Sequence, residues 1–217
     1  MTKITINQKV LDEVDNKIHN PKKYIYDYIK RNGKNDNIDA VVAKILLIDF
    51  DHNTQLSSHY GEGIEIIAKH IVSNHKSIDV KISKGDISVI SDFDIPNKAS
   101  IYSFATKYCQ IHNDIVYNRD DFYKNDSVVR QNIFRYIDAK NIPADDKGKN
   151  KGIKINETAF TRSYKYYIDV LDAILRQNHL DPNKHNNRRK LDHFIWALHR
   201  TNPLFKYNNL TFEATFI

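Results

Sequence analysis

A chain of 217 residues, of which 41% are hydrophobic, 11% aromatic and 28% charged, carries enough apolar side chain for a compact core, which excludes a wholly disordered polymer. One cysteine, Cys109, excludes an internal disulfide framework and a zinc finger, and no apolar run approaches the thickness of a bilayer. The net charge is +6, with acidic and basic residues in balance as far as Ser100, so the whole basic excess lies in the second half and predicts a polyanionic partner.

The opening Met1-Thr2-Lys3-Ile4-Thr5 is polar and lacks the apolar stretch of a secretory signal, so a cytoplasmic location is expected. Val10, Leu11, Val14 and Ile18 fall at helical spacing. They predict a helix that packs against the next one, over Pro21 to Arg31, which Asn20-Pro21 opens and Asn32-Gly33 stops. Ile38 to Asp49 reads as a buried helix, and Ile64, Ile67 and Ile71 give Gly63 to Val72 one apolar face. From Ser77 to Ile95 the pattern breaks often, around a Lys84-Gly85-Asp86 turn, and predicts short turns rather than a sheet.

Pro96-Asn97 reads as the opening of a helix in which Ile101, Phe104, Ala105, Tyr108 and Ile111 form one stripe. Lys107 lies on its flank, about 90° from the stripe's centre, and Cys109 is read as packing. Another helix is predicted over Val128 to Ile137, then a polar, glycine-punctuated loop from Asp145 to Gly152, helices over Glu157 to Asn178 and Arg188 to Arg200, and a short extended tail from Phe205 to Ile217. Trp196 reads as core. The expected architecture is all-α and two-lobed: one compact domain over 1–217, with 1–95 and 96–217 as candidate lobes. The ten histidines offer no pair at the i, i+4 spacing of a helical zinc site. No phosphate-binding loop, dinucleotide fingerprint or nucleophile elbow is present. Neither a metal nor a cofactor is expected.

The central block Ser103-Phe104-Ala105-Thr106-Lys107-Tyr108-Cys109, followed by His112-Asn113 and Ile115-Val116-Tyr117-Asn118, resembles a pattern found in a little-characterised bacterial family. That family is similar to the 8-oxoguanine DNA glycosylases of the helix-hairpin-helix superfamily. Ile45-Leu46-Leu47-Ile48-Asp49 with Asn53-Thr54-Gln55-Leu56 resembles the segment near the base pocket of such proteins, and Arg189-Lys190-Leu191-Asp192-His193-Phe194-Ile195-Trp196 resembles a closing helix. The resemblance covers roughly residues 40 to 200, and the central block carries its specificity.

What the resemblance implies is a protein that binds double-stranded DNA, extrudes a damaged or modified nucleotide and cuts the bond between base and sugar, in DNA repair or in defence against phage. Such chemistry needs a carboxylate to stabilise an oxocarbenium-like centre and, in lyase-type members, a lysine that forms a Schiff base. The candidate nucleophiles are Lys107, from the block itself, and Lys98, twenty residues before Asn118. Asn118 stands where the family carries aspartate, and a neutral amide supplies neither counter-charge nor base. The expectation is therefore a glycosylase-like protein that has either lost catalysis or replaced that acid by Asp114, Asp120 or Asp121. Asp120 and Asp121 also read as caps of the following helix. The Gly-x-Gly hairpin is missing, so phosphate contacts fall to Lys147, Lys149, Lys151, Arg188, Arg189 and Lys190. Two alternatives stand beside this reading. Arg188 and His193 have the R-x4-H spacing that resembles the all-α HEPN ribonucleases, with His193 as acid or base and Arg188 on the phosphorane. The chain also suits a nucleic-acid- or partner-binding module without chemistry.

Overall fold

The computed structural model describes residues 3–18, 22–52, 54, 56, 63–98, 100–145, 148, 155, 157–184 and 186–217. In chain order the α-helices are α1 (Gln8–Ile18), α2 (Lys23–Arg31), α3 (Ile38–His52), α4 (Gly63–Ser73), α5 (His75–Lys84), α6 (Tyr102–Tyr117), α7 (Ser127–Asn132), α8 (Glu157–Phe160), α9 (Tyr164–Gln177) and α10 (Asn187–His199). Strands β1 (Phe205–Asn208) and β2 (Glu213–Phe216) form an antiparallel hairpin, with Phe205 opposite Phe216. The fold is therefore predominantly all-α, and the expected extended tail is this hairpin. Among the described residues no helix is long and apolar enough to cross a membrane. Contacts divide the chain into two units, Pro21–Lys124 and Met1–Asn20 with Asn125–Ile217. The lobe boundary expected at 95/96 lies inside the first of these.

In the unit formed by the two ends of the chain, α1 buries Val10, Leu11 and Val14. It packs on α10, where the sequence paired it with the helix that follows. The difference arises because helical periodicity marks an apolar face and leaves its partner open. The helix expected over Glu157 to Asn178 is two pieces. Ser163 adopts extended backbone and its hydroxyl accepts the Tyr166 N–H at 3.1 Å, so a new helix starts there after the short α8. The helix expected over Val128 to Ile137 stays α only to Asn132, and a 3₁₀ turn over Ile133–Arg135 follows. Phe205 of the hairpin is fully buried, against Phe194 of α10 at 5.4 Å between ring centroids.

In the Pro21–Lys124 unit α3 packs on α4, and α6 receives α2, α3, α5 and a 3₁₀ helix over Ile87–Phe93. Within the stretch read as turns, residues 75–84 are helical. Ile78 and Ile82 give this helix a one-residue-wide buried line, too little apolar periodicity to stand out among the polar residues between them. The predicted turn is real and is its end: Gly85 is left-handed at φ 69°, and Asp86 caps the 3₁₀ helix by accepting the Ser88 N–H. Pro96-Asn97 does not open α6. Asn97 has φ 61° and the Lys98 N–H bonds to the Ile95 carbonyl at 3.1 Å, a turn, and the helix begins at Tyr102.

Candidate functional site

The Ser103–Cys109 block lies on α6, whose residues from Phe104 to Asn113 are all buried. Tyr108 packs at 5.4 Å from Phe93 and 5.7 Å from Phe104, and stacks on His112 at 5.4 Å. Cys109 is fully buried, and burial pushes its thiol well above the usual value, consistent with packing. Lys107 is 6% exposed. A lysine so withdrawn from water is uncommon, because the stem is apolar and the ammonium normally reaches solvent. Lys98 is exposed, in the turn before the helix.

Beside the stripe lies a second buried lysine that the periodicity of α3 concealed. Lys44 is fully buried, and its ammonium donates to the Lys34 carbonyl at 2.8 Å and to Asn35 Oδ1 at 2.7 Å. The same Asn35 oxygen accepts the Tyr108 hydroxyl at 2.5 Å, while Asn35 Nδ2 donates to Asp79 Oδ1 at 2.6 Å. Burial pulls the Lys44 amine down to about 8 and pushes the Asp79 carboxyl up. His112 Nε2 donates to the Gly33 carbonyl at 2.5 Å, and Nδ1 has no hydrogen-bond partner among the described residues. Burial holds the imidazole neutral, at about 3. This network clamps the loop after α2 to α6.

The carboxylates around position 118 divide into different roles. Asn118 is exposed and left-handed (φ 52°, ψ 47°), its N–H bonding to the Asp114 carbonyl and the Arg119 N–H to the Asn113 carbonyl, so it closes the C-terminus of α6. Asparagine tolerates this backbone better than most residues. Asp121 is held by Arg119 Nε at 2.5 Å, Arg119 Nη2 at 3.0 Å and Asn113 Nδ2 at 3.0 Å. A Cβ added at Gly85 would lie 2.5 Å from its Cγ. Asp114 and Asp120 are half-buried. Neither Asp120 nor Asp121 caps α7; that cap is Asp126, which accepts the Val128 N–H at 2.8 Å, because a cap must directly precede the first helical turn.

In the other unit the three basic residues at the start of α10 are each paired internally. Arg188 grips Asp172 of α9 with Nε at 3.1 Å and Nη2 at 2.8 Å. Arg189 donates to Asp15 of α1 at 3.1 Å, and Lys190 to Asp12 at 2.7 Å. Asp15 also accepts from His193 Nδ1 at 2.7 Å. Burial alone would raise the Asp15 carboxyl, but hydrogen bonds and charge from His193 and Arg189 outweigh it and hold the group well below the usual carboxylate range. His193 thus shares a carboxylate with Arg189, while Arg188 is engaged on Asp172. Asp15 was legible in outline: Leu11, Val14, Asp15 and Ile18 stand at i, i+3, i+4 and i+7, so a charge sits on an apolar face. Trp196 is half-buried, with the Arg200 guanidinium 4.7 Å above its ring. Lys147, Lys149 and Lys151 lie outside the described residues. Among the described residues no group of His, Cys, Asp and Glu could hold a metal ion.

A family model described as HI_0787_N, an N-terminal domain, matches residues 5–121, just over half the chain. No curated protein and no solved structure matches.

Proposed function

The chain belongs to the HI_0787_N family, and from that premise we propose that it binds DNA and takes a damaged or modified base out of the stack, in the manner of the helix-hairpin-helix glycosylases that its central helix resembles. The observation that carries this reading is Lys107, 6% exposed on α6, inside both the Ser103–Cys109 block and the matched segment. A lysine nucleophile attacks the sugar carbon as the base leaves, and the imine that follows is the Schiff base of lyase chemistry. Asn118, an exposed helix cap, takes no part. The carboxylate role falls to Asp114, Asp120 or Asp121, the acids nearest in sequence to Asn118. The setting is cytoplasmic, in repair or in defence against phage with modified DNA.

The test is incubation of pure protein with duplexes carrying normal or modified bases, borohydride to trap any imine, and mass spectrometry to place it. An adduct at Lys107 that Lys107→Ala removes and Lys98→Ala spares is the expected result. Salt-sensitive duplex binding with neither adduct nor released base would reduce the proposal to a non-catalytic DNA sensor.

A second reading rests on the 2.7 Å contact between Asp15 and His193. A buried carboxylate that orients an imidazole is the arrangement of a general acid or base, which suits the ribonuclease alternative. Cleavage of RNA that His193→Ala abolishes, in a variant that remains folded, would favour it over the glycosylase.

A further inference from the structure

The cations that the sequence assigned to phosphates on α10 are internally paired, whereas an aromatic and cationic surface stands open on the Pro21–Lys124 unit. Phe50, near the C-terminus of α3, is 73% exposed, and Tyr24 on α2 is 55% exposed. Lys22 joins them. Its ammonium lies 4.7 Å over the Phe50 ring, pairs with Asp51 at 2.9 Å and interacts with the Tyr24 side chain. One turn before Phe50 on the same face, Leu46 is also exposed. Along α2, Ile25 and Ile29 point into the core, leaving Lys23, Tyr24, Lys30 and Arg31 outside, with Lys30 5.5 Å over the Tyr26 ring. Asp51 of α3 neutralises Lys22, so the positive charge of this face comes from Lys23, Lys30 and Arg31 of α2, against Asp27 as the one anion on that helix.

We propose that this face of α2 and α3 holds an unstacked, single-stranded segment of nucleic acid. Two aromatic rings left in water, each beside a lysine, have a use if flat, electron-rich bases cover them: the ring stacks on the base and the ammonium meets the neighbouring phosphate. Only unstacked bases expose such faces; a duplex offers this surface its backbone alone. The excess of cations on α2, Lys23, Lys30 and Arg31 against Asp27, selects a polyanion over an apolar peptide or a second copy of this basic chain. The inference rests on the nucleic-acid reading above but uses none of its chemistry, since Lys107 plays no part in it.

The experiment is fluorescence anisotropy of a labelled oligothymidylate, and of the matching duplex, with the full chain and with Phe50→Ala, Tyr24→Ala and Lys23→Glu. All three side chains are exposed, so the variants keep the fold, which circular dichroism checks. Each aromatic variant should weaken single-strand binding by roughly tenfold, within the range of one lost base stack. Lys23→Glu should weaken it and flatten its dependence on salt, and duplex affinity should change less. Equal single-strand affinity for the wild type and both aromatic variants overturns the proposal while an adduct at Lys107 would still stand. Self-association at rising protein concentration that Phe50→Ala abolishes would also overturn it, because the face would then belong to a second copy. Binding of neither oligonucleotide overturns both readings.

Discussion

Asp15 and His193 are 178 residues apart in sequence and meet at 2.7 Å, with Arg189 on the second oxygen of the same carboxylate. The contact ties α1 to α10 through a buried carboxylate, and it explains why Arg189 and His193 of α10 are held away from solvent.

Removing that carboxylate leaves Arg189 without its acid. Asp15→Asn should destabilise the chain by about 3–5 kcal/mol, the usual cost of breaking a buried ion pair from one side, measured by urea denaturation. Because the Asp15 carboxyl is held below its ordinary 3.8 in the folded state, its contribution is complete above that value. It is lost as pH falls through the folded value, so wild type and variant should converge at strongly acid pH.

His112 sets a separate acid limb. Its folded value of about 3 lies below the unfolded 6.5, so between these the unfolded chain binds the extra proton and stability falls as the solution is acidified. The full effect is on the order of 5 kcal/mol at about 1.4 kcal/mol per pH unit. His112→Gln should flatten the decline from pH 6.5 to 3 in a series of denaturation curves.

Lys44 acts at the other end of the scale. Its folded value of about 8 lies below the unfolded 10.5, so the folded chain gives up this proton first. The residue thus adds stability as pH rises from 8 to 10.5. Lys44→Met removes the titration, and the difference between the two stability profiles should change over that window alone.

Gly85 should tolerate no side chain. Its φ of +69° disfavours any L residue, and a Cβ there would meet the Asp121 carboxyl at 2.5 Å. Gly85→Ala should cost about 1–3 kcal/mol, with lower melting temperature as the readout. By contrast Asn118→Gly, at an exposed left-handed cap, should leave the melting temperature nearly unchanged.

The long helices were legible because each carries an apolar stripe at helical spacing: Val10 to Ile18 in α1, Phe104 to Ile111 in α6, Leu191 to Ile195 in α10. Where the stripe thins to Ile78 and Ile82, the helix was invisible. Asn97 shows the opposite failure, a proline-led helix start that the fold uses as a turn. The central block was legible as a pattern of residues, and the burial of Lys107 within it was not. Lys44 was hidden because a lysine inside an apolar helix reads as a solvated interruption until Asn35 and the Lys34 carbonyl are brought to it.

By itself the sequence determined an all-α chain with a basic second half, since helical periodicity and charge are properties of neighbouring residues along the chain. Which cations are available to a ligand was decided only by the tertiary structure. Arg188, Arg189 and Lys190 are adjacent and alike in sequence, yet each is claimed by an aspartate on another helix, whereas Lys23, Lys30 and Arg31 are exposed on α2, with Lys30 over the Tyr26 ring. Coulomb attraction and desolvation depend on distance in space and on burial, and neither is fixed until helices far apart in the chain have packed.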